Sequence, residues 1–325
     1  MSTLALRNAV ALRAMHLGCA LQGENIVITS GCINAVFMCL QAVTRPGDVV
    51  AIESPTFYAT LQALERLNLR AVEVPTDPQQ GIDPDSLAEV IARHQVSACW
   101  LMPNFQNPLG ALMPLARKQA VMHVLQRSGT PVVEDDVYGE LHHGSTRPLP
   151  LKALDTEGQV LYCSSFSKCL APGYRVGWTL AGRHSHAAHK LKMMSSLATS
   201  VPSQLAVAEY LEEGGYDRHL RQLRKVLADS LGRLRQLVLR HFPKGTRVSR
   251  PAGGYFLWVQ LPEGADTLAL HREALAHGIS IAPGALFSAD QRFRSAMRLN
   301  GGHPQDPRIE AAVRWLGERL ASLDR

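Results

Sequence analysis

The chain has 325 residues, 46% of them hydrophobic and 19% charged, with a formal net charge of +6. This composition buries an ordinary globular core and excludes a disordered chain, and the length predicts about two domains. No apolar stretch reaches the ~18–20 residues that span a bilayer, which excludes a membrane-spanning helix, and no membrane partner is expected. Ala9-Val10-Ala11-Leu12, interrupted by Arg13 and His16, reads as helix and not as a signal sequence. Cys19, Cys32, Cys39, Cys99, Cys163 and Cys169 form no C-x-x-C pair. In a chain of this size that predicts reduced thiols and a cytoplasmic location.

From residue 26 short apolar runs alternate with helical patterns. Residues 26–29 read as a strand, followed by Gly31 and a helix to about 43. Strands follow at 48–53, 70–74, 97–102, 131–135, 160–164 and 175–180, with helices at 60–67, 84–91 and 114–126. Asp83 is placed as an N-cap with Pro84 in the first helical position. Continuous apolar strands separated by helices predict an α/β fold, a mostly parallel sheet covered on both faces in three layers. Ligands in such sheets bind beyond the carboxyl ends of the strands. After about Ala181 the pattern changes to helices at 184–196, 202–212 and 217–240, then to a smaller α+β segment. Its strands are predicted at 246–249, 255–260, 279–281 and 297–300, and a last helix at 307–323. The predicted division is a large domain, 1–212, and a small C-terminal domain, 213–325. In the 217–240 helix Leu220, Leu223, Leu227, Leu231, Leu234 and Val238 recur at helical spacing, with Arg221, Arg224, Lys225, Arg233 and Arg235 between them. This is an amphipathic helix with a solvated basic face, and charge alone makes a weak case for nucleic acid.

Chemistry-bearing residues sit where strands end. Gly31-Cys32-Ile33-Asn34 opens a helix, whose first N–H groups form an anion site. Ser54-Pro55-Thr56-Phe57-Tyr58 ends one strand and offers an aromatic able to stack on a flat ring. Pro103-Asn104-Phe105-Gln106-Asn107-Pro108-Leu109-Gly110 ends another, with the Asn107 amide as a neutral donor. Glu134-Asp135-Asp136-Val137-Tyr138 puts a carboxylate at a strand end and a phenol beyond it, a pair suited to a pyridine cofactor. Ser165-Phe166-Ser167-Lys168-Cys169-Leu170-Ala171-Pro172-Gly173-Tyr174-Arg175-Val176-Gly177 holds an amine able to form a Schiff base among groups able to hold a phosphate dianion. Arg298, in a late strand, is able to clamp a carboxylate with two parallel bonds. Taken singly, each is more often a loop lysine, a turn, a cap, a core aromatic or a surface ion pair. His184, His186 and His189 have zinc-like spacing but no carboxylate partner, so no metal site is expected and they read as an exposed helix start. Gly253-Gly254 predicts a turn or a close backbone approach.

The order of these motifs resembles one family, the fold type I pyridoxal 5′-phosphate enzymes of the class I/II aminotransferase branch, from about residue 4 to the end. The resemblance implies that Lys168 forms the Schiff base and shuttles the substrate proton, with Asp135 and Tyr138 as its catalytic partners. It implies that Asp135 pairs with the pyridine nitrogen, that Asn107 and Tyr138 bond the 3′-oxygen, and that Phe57 stacks on the ring. Ser165, Arg175 and the N–H groups of Cys32 and Ile33 would take the phosphate, while Arg298 and Asn107 would take the substrate carboxylate. The implied reaction moves an amino group between an amino acid and a 2-oxo acid, in a homodimer. Ser30-Gly31-Cys32-Ile33-Asn34-Ala35, Glu53-Ser54-Pro55-Thr56-Phe57-Tyr58 and Ser165 to Gly173 also look like the aminotransferase-like domain of MocR-type regulators of the GntR family. That alternative implies an effector domain that senses pyridoxal phosphate with little turnover. In those regulators a winged helix precedes this domain. Met1 begins partway through the cofactor domain, so neither that helix nor the family's N-terminal arm is expected here, and DNA would be met only through the missing winged helix.

Overall fold

The computed structural model describes residues 2–19, 25–303 and 306–323. Its large sheet is built from β1 (Ile26–Thr29), β2 (Val49–Ser54), β3 (Arg70–Asp77), β4 (Gly81–Ile82), β5 (Val96–Leu101), β6 (Val132–Asp135), β7 (Val160–Ser165) and β8 (Gly177–Leu180). Their spatial order is β1-β8-β7-β6-β5-β2-β3-β4. The run β3-β2-β5-β6-β7 is parallel, whereas β8 lies antiparallel to both β7 and β1. The mostly parallel sheet read from the sequence is therefore present, with β8 reversed within it.

Alternation along each strand explains the two covered faces. Val50 and Ile52 of β2, Trp100 at β5 and Val133 of β6 point into one apolar cluster, which also holds Leu6 and Val10 of α1 (Leu4–Met15) and Ala35 to Leu40 of α2 (Cys32–Val43). Their neighbours Ala51, Cys99, Leu101 and Val132 point the other way. There they meet Leu87 of α4 (Pro84–His94) and Val121, Met122 and Leu125 of α5 (Leu115–Ser128). Successive side chains of a strand face opposite sides, so a strand buried on both faces reads as one unbroken apolar run. The α4 start is as the sequence predicts: Asp83 accepts from the Ser86 N–H at 2.9 Å and Pro84 follows it. α3 (Tyr58–Arg66) fills the connection between β2 and β3.

The chain then runs through α6 (Ser185–Ser196), α7 (Val201–Glu212) and the long α8 (Gly215–His241). On α8, Tyr216, Leu220 and Leu227 pack into the first cluster, while Leu231, Leu234, Leu237 and Val238 enter a separate one. The second cluster is closed by β9 (Arg247–Val248), β10 (Phe256–Gln260), α9 (Thr267–Ala276), β11 (Ala282–Pro283), β12 (Ala296–Asn300) and α10 (Arg308–Leu323). The small sheet runs β11-β12-β10-β9, all antiparallel.

Three local expectations need correction. The strand expected at 279–281 forms at Ala282–Pro283 instead. The strand expected from 175 begins at Gly177, because Arg175 takes a left-handed φ of 52°. Helix α9 was not anticipated. Its Asp266 cap accepts from the N–H groups of Leu268 and Ala269, and small residues such as Ala274 on its buried side blur the period. Gly253 does mark a close approach: a Cβ there would run into the Phe105 ring.

Candidate active site

The residues singled out at strand ends converge beyond the carboxyl edge of the large sheet, where α2, the loops after β2, β5, β6 and β7, and β12 of the small sheet meet. Gly31 caps α2 with φ 103° and ψ 169°, a region essentially reserved for glycine. The absent side chain makes room for Arg175, since an added Cβ would lie 2.5 Å from its Nη2. Arg175 donates from Nη2 to the Ser30 carbonyl at 2.9 Å and from Nη1 to Ser167 Oγ at 3.4 Å. One exposed guanidinium thus lies across the α2 N-terminus, next to first-turn N–H groups that have no backbone partner among the described residues. Ser165, at the end of β7, is buried and accepts from the Ser167 N–H at 3.3 Å.

Asp135, the last residue of β6, is 5% exposed. Its Oδ1 accepts from Cys32 Sγ at 3.3 Å and from the Val137 N–H at 3.2 Å. No donor among the described residues reaches its Oδ2. Burial pushes this carboxyl up to about 6, opposed by its two donors and by the Lys168 charge. Lys168 stays solvent-accessible and makes no hydrogen bond among the described residues. Its pKa is lowered, first by partial desolvation and then by the positive Arg298 and Arg175, against the pull of Asp135. Both shifts favour neutral forms, the usual trend where a cleft desolvates ionisable groups.

Arg298 comes from the other sheet. Its strand is in register with Trp258 of β10 and Ala282 of β11, so diagonal neighbours on that face come within reach. The guanidinium carbon lies 4.3 Å from the Phe256 ring centre, 5.3 Å from Phe287 and 6.0 Å from Tyr58. Nη1 donates to Asn107 Oδ1 at 2.7 Å, and the buried Nε has no hydrogen-bond partner among the described residues. Asn107 is buried, so its carbonyl is committed to Arg298 and its NH₂ group remains as a donor. Tyr138 is buried edge-on to Phe256, ring centres 5.4 Å apart, and to Tyr255, 5.7 Å apart. Burial holds its phenol well above the usual value, hence protonated. Phe57, half-buried just before α3, sits with its ring 4.7 Å from that of Tyr58.

Behind these groups a polar network ties the loops together. Lys118 Nζ donates to Asn104 Oδ1 and to the Leu149 carbonyl, both at 2.6 Å. Asn104 Nδ2 donates to Asp136 Oδ1 at 2.9 Å. Asp136 Oδ2 also accepts from Arg147 at 2.7 Å and Tyr162 at 2.9 Å. The loop carrying Asn107 is thereby fixed to the strand end carrying Asp135.

The structure brings together Cys32, Ile33, Ser165 and Arg175 around the α2 N-terminus, and Asp135, Tyr138, Asn107, Lys168 and Arg298 in the adjoining cleft. Sequence reasoning missed the Cys32 thiol, the aromatic surround of Arg298 and the buried Glu53. Tyr58 stands beside Phe57 in the sequence, whereas Phe256 and Phe287 carry no local signal that ties them to Arg298. Among the described residues no group of histidine, cysteine and carboxylate side chains is arranged to hold a metal. His189 bonds within its own helix turn to the Ser185 carbonyl at 3.0 Å.

Comparison with known proteins gives a consistent picture. The sequence profile described as "Aminotransferase class I and II" matches residues 2–309. The uncharacterized HTH-type transcriptional regulator YdcR of Escherichia coli is 45% identical over 97% of this chain, which spans 67% of that protein. Aromatic-amino-acid aminotransferase 1 of Thermococcus litoralis is 32% identical over 91% of this chain and 72% of its own length. The crystal structure of LysN, the alpha-aminoadipate aminotransferase of Thermus thermophilus complexed with N-(5′-phosphopyridoxyl)-L-leucine, superimposes with a TM-score of 0.91. It shares 31% identity, covering 99% of this chain and 82% of that one.

Proposed function

The chain belongs to the class I and II aminotransferases, and on that premise we propose that it moves an amino group between an amino acid and a 2-oxo acid, using pyridoxal 5′-phosphate held at Lys168. The observation that carries this reading is the Arg298–Asn107 contact, which delivers a partly unpaired guanidinium from the small sheet into the cleft of Lys168 and Asp135. The residues present fit the cofactor. A glycine cradle beside Arg175 suits a phosphate, the open Oδ2 of a buried carboxylate suits a ring nitrogen, and an unbonded lysine suits an aldehyde.

In this reading Arg175, Ser165 and the N–H groups of Cys32 and Ile33 bind the phosphate. Asp135 Oδ2 keeps a proton on the ring nitrogen, the Asn107 NH₂ group and the Tyr138 hydroxyl donate to the 3′-oxygen, and Phe57 covers one ring face. Arg298 clamps the substrate α-carboxylate, oriented by Asn107 and by the Phe256 face. When bound, the cofactor supplies an electron sink for the substrate Cα. Lys168 Nζ, its basicity lowered, takes the Cα proton and returns it. We place the division between a cofactor-binding unit, 1–212, and a small unit, 213–325, just before α8, whose residues up to Leu227 still pack into the first cluster while those from Leu231 enter the second. A homodimer accords with the exposed Met193, Met194, Leu197, Val201 and Leu205 around the α6–α7 junction. Six free cysteines suit a reducing cytoplasm, and no helix among the described residues is long and apolar enough to cross a membrane.

A second reading rests on the 45% identity to an HTH-type regulator: the same site would sense pyridoxal phosphate as the effector domain of a MocR-type protein. One experiment separates them. Cofactor-loaded protein is mixed with single amino acids, and formation of the matching 2-oxo acid is measured together with loss of the visible cofactor band. Stoichiometric 2-oxo acid establishes transamination. Its absence with every amino acid, while borohydride still fixes the cofactor to the protein, leaves the sensor. Retention of the fixed adduct in Lys168→Ala removes Lys168 from both readings.

A further inference from the structure

We propose that the Cys32 thiol is a positioning residue for Asp135: it holds Oδ1 and so presents Oδ2 to the cofactor ring, while the same residue's N–H faces the phosphate. This rests on the cofactor reading above and adds a role for the Cys32 side chain, where only its backbone had a part.

The geometry is specific. Cys32 is the first residue of α2, and Asp135 is the last of β6. Cys32 Sγ lies 3.3 Å from Asp135 Oδ1, and the Val137 N–H reaches that same oxygen at 3.2 Å. Two donors on one oxygen fix the carboxylate plane and leave the second oxygen open. Cys32 is buried, and burial, then the neighbouring Asp135 charge, raises its thiol pKa well above the ordinary value, so it remains S–H and donates. One residue therefore spans both ends of the site. Its backbone lies in the phosphate cradle and its side chain on the carboxylate, so movement of α2 relative to β6 would disturb both together.

The groups that face Asp135 define how the contact will be read. They are Cys32 from α2, Asp136 and Tyr138 from its own loop, Glu53 from the end of β2, and Lys168 from the loop after β7. Cys32 is a neutral donor to the ionised form, so its loss raises the Asp135 pKa further. Cofactor affinity, which needs the ionised carboxylate, should then begin to fall at a higher pH.

The test compares wild type, Cys32→Ser and Cys32→Ala. Each is stripped of cofactor, checked for folding by thermal unfolding, and titrated with pyridoxal 5′-phosphate across pH 5 to 9. The expected result is a dissociation constant about five- to tenfold weaker in Cys32→Ala, the size of one ordinary hydrogen bond, since a thiol is a weak donor. Its pH midpoint should move upward, and Cys32→Ser, which keeps a donor, should stay within about twofold of wild type. An unchanged midpoint in Cys32→Ala overturns the proposal, as does a Cys32→Ser variant as weak as Cys32→Ala. If Cys32→Ala does not fold, the Cys32→Ser titration decides alone: wild-type affinity and midpoint support the role, and loss of either refutes it. Failure of wild type to bind the cofactor at all would instead remove the underlying reading.

Discussion

Gly31 is the position where one methyl group tests the proposed phosphate cradle. In Gly31→Ala the new Cβ would lie 2.5 Å from Arg175 Nη2 and 3.1 Å from its Cζ, well inside van der Waals contact. The backbone has no room to retreat, because Gly177 of β8 is packed so closely that a Cβ on it would sit 2.6 Å from the Gly31 carbonyl carbon. The guanidinium must yield instead, by about 1 Å to regain normal contact. That shift breaks the 2.9 Å bond from Nη2 to the Ser30 carbonyl and carries the charge away from the α2 N-terminus. A φ of 103° adds backbone strain of about 1–3 kcal/mol for any side-chain-bearing residue. The variant should thus lose about 2–3 kcal/mol in urea unfolding. Its pyridoxal phosphate affinity should fall at least about tenfold by absorbance titration, through the displaced Arg175. Gly173→Ala, in the same loop with nothing within 4 Å of its Cβ, is the control and should leave both unchanged. A Gly31→Ala protein with wild-type stability and affinity would refute the assignment of this corner to the phosphate.

Three further outcomes follow from the geometry. Arg298→Lys should raise the amino-acid KM in the half-reaction by about 10- to 100-fold, because an ammonium neither forks to a carboxylate nor stacks on Phe256; the cofactor dissociation constant should not move. Burial pushes Glu53 up to about 8, from an ordinary 4.5, and one carboxylate oxygen has no hydrogen-bond partner among the described residues. Because the folded-state value is raised, the unfolded chain ionises first, and this contribution to stability is largest below pH 4.5 and is lost between 4.5 and 8. Urea unfolding at pH 5 and pH 8 should therefore show a smaller decline for Glu53→Gln than for wild type, by a few kcal/mol; parallel declines would contradict the buried-acid account. Lys118→Met should cost about 1–3 kcal/mol in urea unfolding, since it leaves the buried Asn104 Oδ1 without its donor and takes one from the part-buried Leu149 carbonyl.

Much of the large domain was legible because its signals are local. The β2, β5 and β6 strands are apolar on both faces, the Asp83-Pro84 start of α4 is a cap with a fixed geometry, and Lys168 follows directly on a strand. The small domain was less legible. α9 buries small residues that give little contrast, and β11 is a two-residue strand held mainly by its pairing with β12.

The order of the chemistry is legible in the chain alone: glycine turn, aromatic, asparagine loop, aspartate, lysine and arginine at the ends of elements whose own period marks them, then a second arginine within a late strand. It could not determine which atoms of these residues face one another. Arg298 reaches Asn107 across 191 positions, and Cys32 reaches Asp135 across 103. Those contacts depend on strand order, on the register that sets Arg298 opposite Trp258, and on how closely two glycines let α2 approach β8. Periodicity records which face of an element is buried. Only the packed structure decides what lies on the other side of that face, because burial has no direction along the chain while hydrogen bonds and charges require a particular partner at a particular distance.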